Sequence, residues 1–479
     1  MADSGDRQRL NTGHPEALRG ELREEPSLIQ PAGRAEALSA SGGSCRIGAG
    51  AVDKAAPAAQ GLPGQERETR EASGPDTHQG STHDWMQEEL AQLREEAQLR
   101  SLRSTLIQND GWLVQDGRRL LNLSSNHYLG LAHNLDAEAL EELQVQAAAW
   151  GGSTGTGSTA SRLITGGNPV LAGFEAELAA FKGTEGSLLF GSGYQANVGI
   201  IQALAGRGDT VFSDRLNHAS ITDGIVLSRA DHRRYRHRDL DQLEAMLRKT
   251  RLEQTSRRLL IVTDAVFSMD GTIAPLAELV WLKQRYGAML MVDEAHSGGI
   301  YGAEGQGLVH ALGLTAAVDV QMGTFGKAYG CYGAYAAGDR LLIEYLVNKA
   351  RPLIYTTALP PLMVLCISRQ WRMARREGWR RQALLDKSAR FRSRLQEAGL
   401  DTCGSSSHII PVLAGDNSAA VKLSARLREA GLAAVAIRPP TVPEGTARIR
   451  FTLMATQRQQ DLDRAAETII QVSRELERC

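Results

Sequence analysis

A strand–helix–strand unit in the middle of the chain constrains the fold more than any other part of this sequence. The apolar run Leu259–Thr263 predicts a buried strand that ends in a polar loop. A helix is expected over residues 275–286, because Pro275 stands at its start and Gly287 follows its end. Ala288–Val292 is a second apolar run of strand length. Two strands joined by a helix form a parallel crossover, so the sequence predicts an α/β fold.

Two polar residues, Asp293 and His296, stand directly after the second strand. Open α/β sheets bind their ligands at the carboxyl ends of the strands. A buried carboxylate at that place can keep the ring nitrogen of a pyridine cofactor protonated, which an electron sink requires. Alternatively, Asp293 caps a turn and His296 is an ordinary loop histidine, and these two residues alone leave both interpretations open.

The segment Gly323–Gly330 (GTFGKAYG) places one lysine, Lys327, among small residues after a further apolar run. A lysine held in a pocket has a lowered pKa and can form a Schiff base with an aldehyde. Glycines beside it let the backbone approach a bulky ligand. A lysine in such a loop can also be a plain surface residue, but its position one strand after Asp293 favours a functional role.

Composition excludes several classes of function. The chain has 479 residues, 42% of them hydrophobic, which is enough for more than one domain with a sizeable core. Its formal net charge of −1 gives no electrostatic basis for binding nucleic acid. The five cysteines are scattered and form no CxxC pair, which favours a reducing, cytoplasmic compartment and argues against a metal site. No apolar run reaches the length of a membrane span.

The chain divides into four regions. Residues 1–84 contain no Phe, Trp or Tyr, so we expect a disordered extension. Residues 85–131 predict a helix as far as Arg103, followed by a hairpin. Residues 132–377 predict a large α/β domain, and residues 378–479 predict a smaller α+β domain of charged helices and short strands.

Several further residues are candidates for a binding site. The glycine-rich segment Gly191–Asn197 opens a helix whose backbone N–H groups can bind phosphate. His218 follows a predicted strand and either stacks on a cofactor ring or is an ordinary loop histidine. Arg448 and Arg450 alternate onto one face of the last strand as candidate carboxylate ligands, and we expect one of them to be catalytic and the other to lie at the surface.

Eight motifs from Trp85 onward resemble, in family order, those of the α-oxoamine synthases, which are fold-type I enzymes dependent on pyridoxal 5′-phosphate. The motifs are SSNHYLG, GSGYQAN, DRLNHAS, TDAVFSMDG, MVDEAHSGG, GTFGKAYG, YTTALPP and IRPPTVPEGTARIRFTL. The double proline after Arg438 is similar to the branch of the family that acts in biotin synthesis. The resemblance implies a large, mostly parallel sheet domain, a smaller C-terminal domain and a homodimer.

The resemblance also implies roles for residues around the cofactor ring. Lys327 would form the Schiff base and later remove the Cα proton of the substrate. Asp293 would pair with the ring nitrogen, His296 would bind the ring hydroxyl, and His218 would stack on the ring. Other cofactor contacts would come from Gly193, Tyr194, Ser268 and Thr324, and Thr356 or Thr357 would reach the phosphate from the second subunit. Substrate contacts would come from Arg100, Asn126, His218, Thr441 and Arg450.

The implied reaction is a decarboxylative condensation of L-alanine with a pimeloyl thioester. The thioester could be carried on CoA or on an acyl carrier protein, and the sequence leaves both open. A sister enzyme that uses glycine or serine is one alternative. A non-catalytic partner subunit is another, but it is disfavoured because Lys327, Asp293 and both histidines are present.

Overall fold

The computed structural model describes residues 83–477, except residues 109, 133 and 134. The extension expected over residues 1–84 therefore lies outside the described residues, apart from its last two positions. The strands, numbered in chain order, are β1 (Thr105–Ile107), β2 (Trp112–Gln115), β3 (Arg118–Asn122), β4 (Gly186–Phe190), β5 (Thr210–Asp214), β6 (Asp231–Tyr235), β7 (Leu259–Asp264), β8 (Met289–Asp293), β9 (Val320–Thr324), β10 (Ala334–Gly338), β11 (Ile409–Gly415), β12 (Leu432–Ala433), β13 (Ala436–Ile437) and β14 (Ala447–Thr452).

The α-helices are α1 (Asp84–Glu95), α2 (Ala137–Ala149), α3 (Pro169–Lys182), α4 (Gly193–Leu204), α5 (Ala219–Ser228), α6 (Leu240–Leu252), α7 (Leu276–Tyr286), α8 (Leu308–Ala311), α9 (Arg340–Lys349), α10 (Arg351–Ile354), α11 (Pro361–Arg376), α12 (Gly378–Glu397), α13 (Asn417–Glu429) and α14 (Gln459–Glu477). Among the residues described, no helix is both long enough and apolar enough to cross a membrane.

The large sheet has seven strands in the order β4-β10-β9-β8-β7-β5-β6. β10 pairs antiparallel with β4 and β9, whereas every pair from β9 across to β6 is parallel. The expected mostly parallel sheet is therefore confirmed. Because β9, β8, β7 and β5 are parallel neighbours, their carboxyl ends meet along one edge of the sheet.

The unit β7–α7–β8 is the predicted crossover, with its boundaries close to those expected. Gly287 ends α7 with a left-handed φ of 58°, a conformation that glycine adopts without steric cost. All six residues of β7 are buried. Leu260 and Val262 pack into the hydrophobic core on one face of the sheet and Ile261 into the core on the other. Helices cover both faces, which explains why this strand reads as a continuous apolar run.

Two smaller sheets complete the described part. β11, β14 and β13 form an antiparallel sheet, and the expected hairpin β2–β3 belongs to a second sheet of order β1-β2-β3-β12. In that sheet β12 pairs in parallel with β3, so the hairpin is joined to a strand more than 300 residues later in the chain. The predicted domain boundaries, between residues 131 and 132 and between residues 377 and 378, stay predictions.

The first helix is shorter than the sequence suggested. We expected helix as far as Arg103, but α1 ends at Glu95. Ala97 has a positive φ of 52°, and the N–H groups of Gln98 and Leu99 both fold back onto the carbonyl of Leu93. The chain turns there, and Arg100 consequently lies outside the helix.

Candidate active site

Six of the predicted site residues lie at one edge of the large sheet, at the ends of four adjacent parallel strands. Each residue ends a strand or lies in the loop that follows it. They are His218 after β5, Ser268 after β7, Asp293 and His296 at and after β8, and Thr324 and Lys327 at and after β9. The expected convergence follows from the strand order, because β9, β8, β7 and β5 are consecutive in the sheet.

The amine of Lys327 lies at the centre of this group. Its Nζ is 2.8 Å from Nε2 of His296. Burial lowers the pKa of Lys327 to about 8. The Asp293 and Asp264 carboxylates act in the opposite direction, and the Arg450 cation adds to the lowering of the pKa. Neutral amine is the reactive form of lysine, so this position prepares Lys327 both as a nucleophile and as a base.

His296 is a neutral imidazole. Burial, with the nearby cations Lys327 and Arg450, holds its pKa well below the ordinary value. Its Nδ1 is 2.8 Å from the hydroxyl of Tyr128, which donates to Oδ1 of Asn126 at 2.9 Å and accepts from Nη2 of Arg450 at 3.1 Å. Since the single hydroxyl hydrogen goes to Asn126, Nδ1 of His296 carries the ring hydrogen, and Nε2 is free to accept from Lys327.

Arg450 connects the small antiparallel sheet to this group. Its Nη2 donates to Oδ1 of Asn126 at 2.9 Å, and its Nε donates to the carbonyl of Ser268 at 2.5 Å. The residue is only 7% exposed, although no carboxylate pairs with it among the described residues. A buried guanidinium whose described contacts are all neutral is a strong candidate ligand for a substrate carboxylate.

The expectation that either Arg448 or Arg450 lies at the surface is wrong. Both are buried, because residues two apart on β14 point to the same face and this face is covered by the loop after β7. Nη1 of Arg448 forms an ion pair with Asp270 of that loop at 2.6 Å. The charge of Arg448 is therefore neutralised within the protein, and Arg450 is the better candidate for binding a substrate.

The carboxylate of Asp293 is held by two donors. The side-chain amide of Asn197 donates to Oδ2 and the backbone N–H of Ala295 to Oδ1, both at 2.8 Å. Asp264 is its neighbour across the β7–β8 pair. Burial, together with the Asp293 charge, raises the pKa of Asp264 well above its usual range.

A second buried charge pair supports the loop that carries Asp293 and His296. Nζ of Lys182, the last residue of α3, lies 2.5 Å from Oε2 of Glu294, and neither side chain is exposed. Glu294 also accepts from the hydroxyl of Ser297 and from the backbone N–H of Val309. With its charge paired and its oxygens bonded, Glu294 anchors the loop between two site residues.

Gly193 and Tyr194 form the first turn of α4, as a phosphate site requires. The hydroxyl of Ser192 accepts from the N–H of Gln195, and the carbonyl of Ser192 accepts from the N–H of Ala196. The N–H groups of the first two helical residues have no acceptor within the helix and remain available to an anion. Thr324, whose hydroxyl donates to the carbonyl of Gly333, approaches Gly193 from β9.

Four predicted residues share no hydrogen bond with this group in the described part of the chain. Thr356 and Thr357 follow α10, and no hydrogen bond among the described residues joins them to the group around Lys327. Arg100 donates to the carbonyl of Pro439 at 3.1 Å, and Thr441 lies exposed on the same proline-rich loop, which spans residues 438–445. The last two therefore form a separate candidate subsite.

The sequence reasoning missed three residues of the site. Tyr128 lies within the SSNHYLG motif, and its spacing of two from Asn126 is the one signal that could have indicated it. Asn197 was treated only as part of a helix start. His408 is buried beside Tyr128, with ring centroids 4.4 Å apart, and nothing in the sequence pointed to it.

The fold and the site together define a fold-type I enzyme dependent on pyridoxal phosphate. The donor set fits that cofactor: a lysine amine of lowered pKa for its aldehyde, a buried carboxylate for its ring nitrogen, and helix N–H groups for its phosphate. Each part of the cofactor would thus find a side chain or backbone group of matching chemistry.

Comparisons with known proteins agree with this class. The family model of the aminotransferases of class I and II matches residues 118–469. A Halalkalibacterium halodurans protein named "Putative 8-amino-7-oxononanoate synthase" is 51% identical over 387 residues, which are 80% of this chain and 95% of the relative. The chain belongs to the class I and II aminotransferase family.

Solved structures show the same fold. A variant of serine palmitoyltransferase from S. paucimobilis, with a bound PLP–myriocin aldimine, has a TM-score of 0.75 and 28% identity over 83% of this chain and 98% of that one. The 8-amino-7-oxononanoate synthase of Francisella tularensis has a TM-score of 0.62 and 28% identity over 74% and 98% of the two chains.

Proposed function

We propose that this enzyme condenses L-alanine with pimeloyl-CoA, or with a pimeloyl carrier protein. The products are 8-amino-7-oxononanoate, the free thiol and carbon dioxide. One C–C bond forms between alanine Cα and the thioester carbonyl, the C–S bond breaks, and the alanine carboxylate leaves as carbon dioxide. One proton is taken up overall. The name of the Halalkalibacterium halodurans relative supports this reaction.

One observation carries the proposal: a candidate carboxylate ligand lies beside a candidate base. Arg450 and Lys327 both contact the Tyr128–His296 pair, Arg450 through the tyrosine hydroxyl and Lys327 through the imidazole. An amino acid whose carboxylate lies on Arg450 would present its Cα toward the amine. The arrangement suits a small amino-acid substrate that first loses its Cα proton and later its carboxylate.

In this proposal Lys327 holds the cofactor, and Asp293 pairs with its ring nitrogen. The first turn of α4, with Thr324 and Ser268, binds the phosphate end, while His218 and His296 contact the ring. Bound pyridoxal phosphate supplies the electron sink that makes the Cα proton of alanine removable.

Lys327 then acts as the base at Cα. Its pKa of about 8 leaves an appreciable neutral fraction at neutral pH, and a base works best with a pKa near the working pH. His296 stays neutral, so it orients the amine by accepting a hydrogen bond and adds no positive charge beside it.

The acyl donor is assigned to the side of the site where Arg100 meets the proline-rich loop. Arg100 is exposed, and within the described part of the chain its one hydrogen bond goes to the carbonyl of Pro439. Its charge therefore stays available for an anionic acyl chain, and Thr441 adds a hydroxyl on the same loop. Thr356 and Thr357 would reach the phosphate of the other subunit in a homodimer.

The test is thiol release by the purified, cofactor-loaded protein. Pimeloyl-CoA is supplied with L-alanine, glycine or L-serine in separate reactions, and the Lys327→Ala variant serves as the inactive control. Release with alanine alone supports the proposal. Release that is fastest with glycine or serine would contradict it.

A sister reaction with serine is the second candidate. The likeness to serine palmitoyltransferase, at a TM-score of 0.75, favours it. It predicts faster thiol release with L-serine and a long-chain acyl-CoA than with L-alanine and pimeloyl-CoA.

A further inference from the structure

The side-chain amide of Asn197 uses both of its hydrogens inside the site. Nδ2 donates to Oδ2 of Asp293 at 2.8 Å and to the hydroxyl of Ser220 at 2.9 Å. Asn197 is 1% exposed, and its Oδ1 is buried with no hydrogen-bond partner among the residues that the structure describes. The reverse amide orientation would turn Oδ1 toward the carboxylate, so the donor orientation is fixed by charge. A buried acceptor without a hydrogen bond lowers the stability of the fold, which indicates that the amide is retained for the two hydrogen bonds that its Nδ2 donates.

The hydrogen bonds continue from Ser220 to His218. The hydroxyl of Ser220 receives from Asn197 and lies 2.8 Å from Nδ1 of His218, to which the backbone N–H of Ser220 also points, at 3.3 Å. The N–H can only donate, so Nδ1 is an acceptor and the neutral ring carries its hydrogen on Nε2. The series Asn197–Ser220–His218 thereby sets the tautomer of the imidazole.

We propose that Asn197 and Ser220 are positioning residues for the cofactor ring. Asn197 holds Asp293 as the carboxylate that faces the ring nitrogen, and Ser220 fixes the orientation and tautomer of His218 over the ring face. The inference rests on the proposed roles of Asp293 and His218. Asn197 lies one turn after Gly193 on α4, so a single helix positions both the phosphate end and the ring end of the cofactor.

The test measures the cofactor with no substrate present. Variants Asn197→Leu and Ser220→Ala are compared with wild type by the dissociation constant of pyridoxal phosphate, the pH midpoint of the absorbance of the bound cofactor, and the thermal midpoint. The matched control is Ser213→Ala, because Ser213 is 1% exposed and its hydroxyl lies 2.7 Å from Nε2 of His232, a serine–histidine pair away from the candidate site. Asp293→Asn is the positive reference.

We expect Asn197→Leu to weaken cofactor binding about 10- to 100-fold, the usual effect of losing a hydrogen bond to a charged group, and to move the pH midpoint. Ser220→Ala should weaken binding by about threefold to tenfold and move the midpoint in the same sense. Ser213→Ala should leave both quantities unchanged. If Asn197→Leu does not accumulate as folded protein, Ser220→Ala decides alone.

The inference is overturned if Asn197→Leu and Ser220→Ala keep the wild-type dissociation constant and midpoint while Asp293→Asn alters them. A wild-type result for Asp293→Asn would overturn it as well, together with the assignment of Asp293. An incorrect substrate assignment gives a different pattern, because it leaves these cofactor measurements as expected and changes only the thiol-release result.

Discussion

The pH dependence of cofactor capture by the apoenzyme tests the electrostatics of the site most sharply. Burial lowers the pKa of Lys327 from 10.5 to about 8. At pH 7 a lysine of pKa about 8 is roughly one-tenth neutral, whereas an ordinary lysine is neutral in only about three molecules per ten thousand. The site therefore raises the concentration of reactive amine about 300-fold. The capture rate should rise with pH as the ammonium loses its proton and level off above pH 8.

The substitution Asp293→Asn should shift the pH midpoint of cofactor capture in a defined direction. The Asp293 carboxylate is the largest influence that opposes the effect of burial, since a nearby anion favours the ammonium form. Its removal should lower the pKa of Lys327 further and move the midpoint of the capture rate to lower pH. The assay is stopped-flow absorbance of the yellow species that forms when apoenzyme is mixed with pyridoxal phosphate. Lys327→Ala gives the background from other lysines.

Two results would refute this reasoning. A midpoint near the ordinary lysine value of 10.5 would mean that the amine is not desolvated. A shift to higher pH in Asp293→Asn would mean that the carboxylate does not act on Lys327 as an anion. Arg448→Lys is a suitable control, because Arg448 is paired with Asp270 and the replacement keeps its charge.

Three further variants have expected outcomes. Lys327→Ala should fold with a near-wild-type circular dichroism spectrum and give no thiol release; measurable turnover would remove its assigned role. Arg450→Ala should raise the KM for the amino acid about 10- to 100-fold through the loss of a charge-assisted contact, and an unchanged KM in steady-state assays would place the carboxylate elsewhere. Tyr128→Phe should lower kcat about tenfold, because the hydroxyl that fixes the tautomer of His296 is lost. Tyr329→Phe is the control: it removes a buried hydroxyl that donates to the carbonyl of Gly305 at 3.3 Å, and it should leave kcat unchanged. Equal effects of the two substitutions would contradict a specific role for Tyr128.

The sequence was most informative where strand order alone determines position. Asp293 ends β8 and Lys327 follows the adjacent parallel strand β9, so their proximity could be inferred from apolar runs and helix signals along the chain. His218 also follows a predicted strand, but that position alone left its role open, and the role of Ser268 came only from the family resemblance. The predicted crossover gave the position of Asp293 at the carboxyl edge of the sheet, and the family motifs added the roles of the residues around it.

Contacts between distant segments could not be inferred in this way. Asn197 and Asp293 are 96 residues apart, and Arg450 and Tyr128 are 322 apart. Period-two alternation correctly put Arg448 and Arg450 on one face, yet it could not reveal that the loop after β7 covers that face. Whether an arginine is buried depends on what packs over the strand, which the strand's own residues do not encode.

The end of α1 shows a similar limit. Apolar residues continue at helical spacing to Leu99, but the positive φ at Ala97 ends the helix first. Arg438 explains part of this geometry, because its Nη1 donates to the carbonyl of Ala97 from the proline-rich loop. A tertiary hydrogen bond thus accompanies the turn, and the local pattern gave no sign of it.

Release of labelled carbon dioxide from carboxyl-labelled L-alanine tests the central claim most directly. The cofactor-loaded enzyme is mixed with the labelled amino acid, with and without pimeloyl-CoA, and carbon dioxide and free thiol are counted together. The account predicts one labelled carbon dioxide for each thiol, and none when the acyl donor is omitted. Thiol released without carbon dioxide, or label retained in the product, would contradict a decarboxylative condensation.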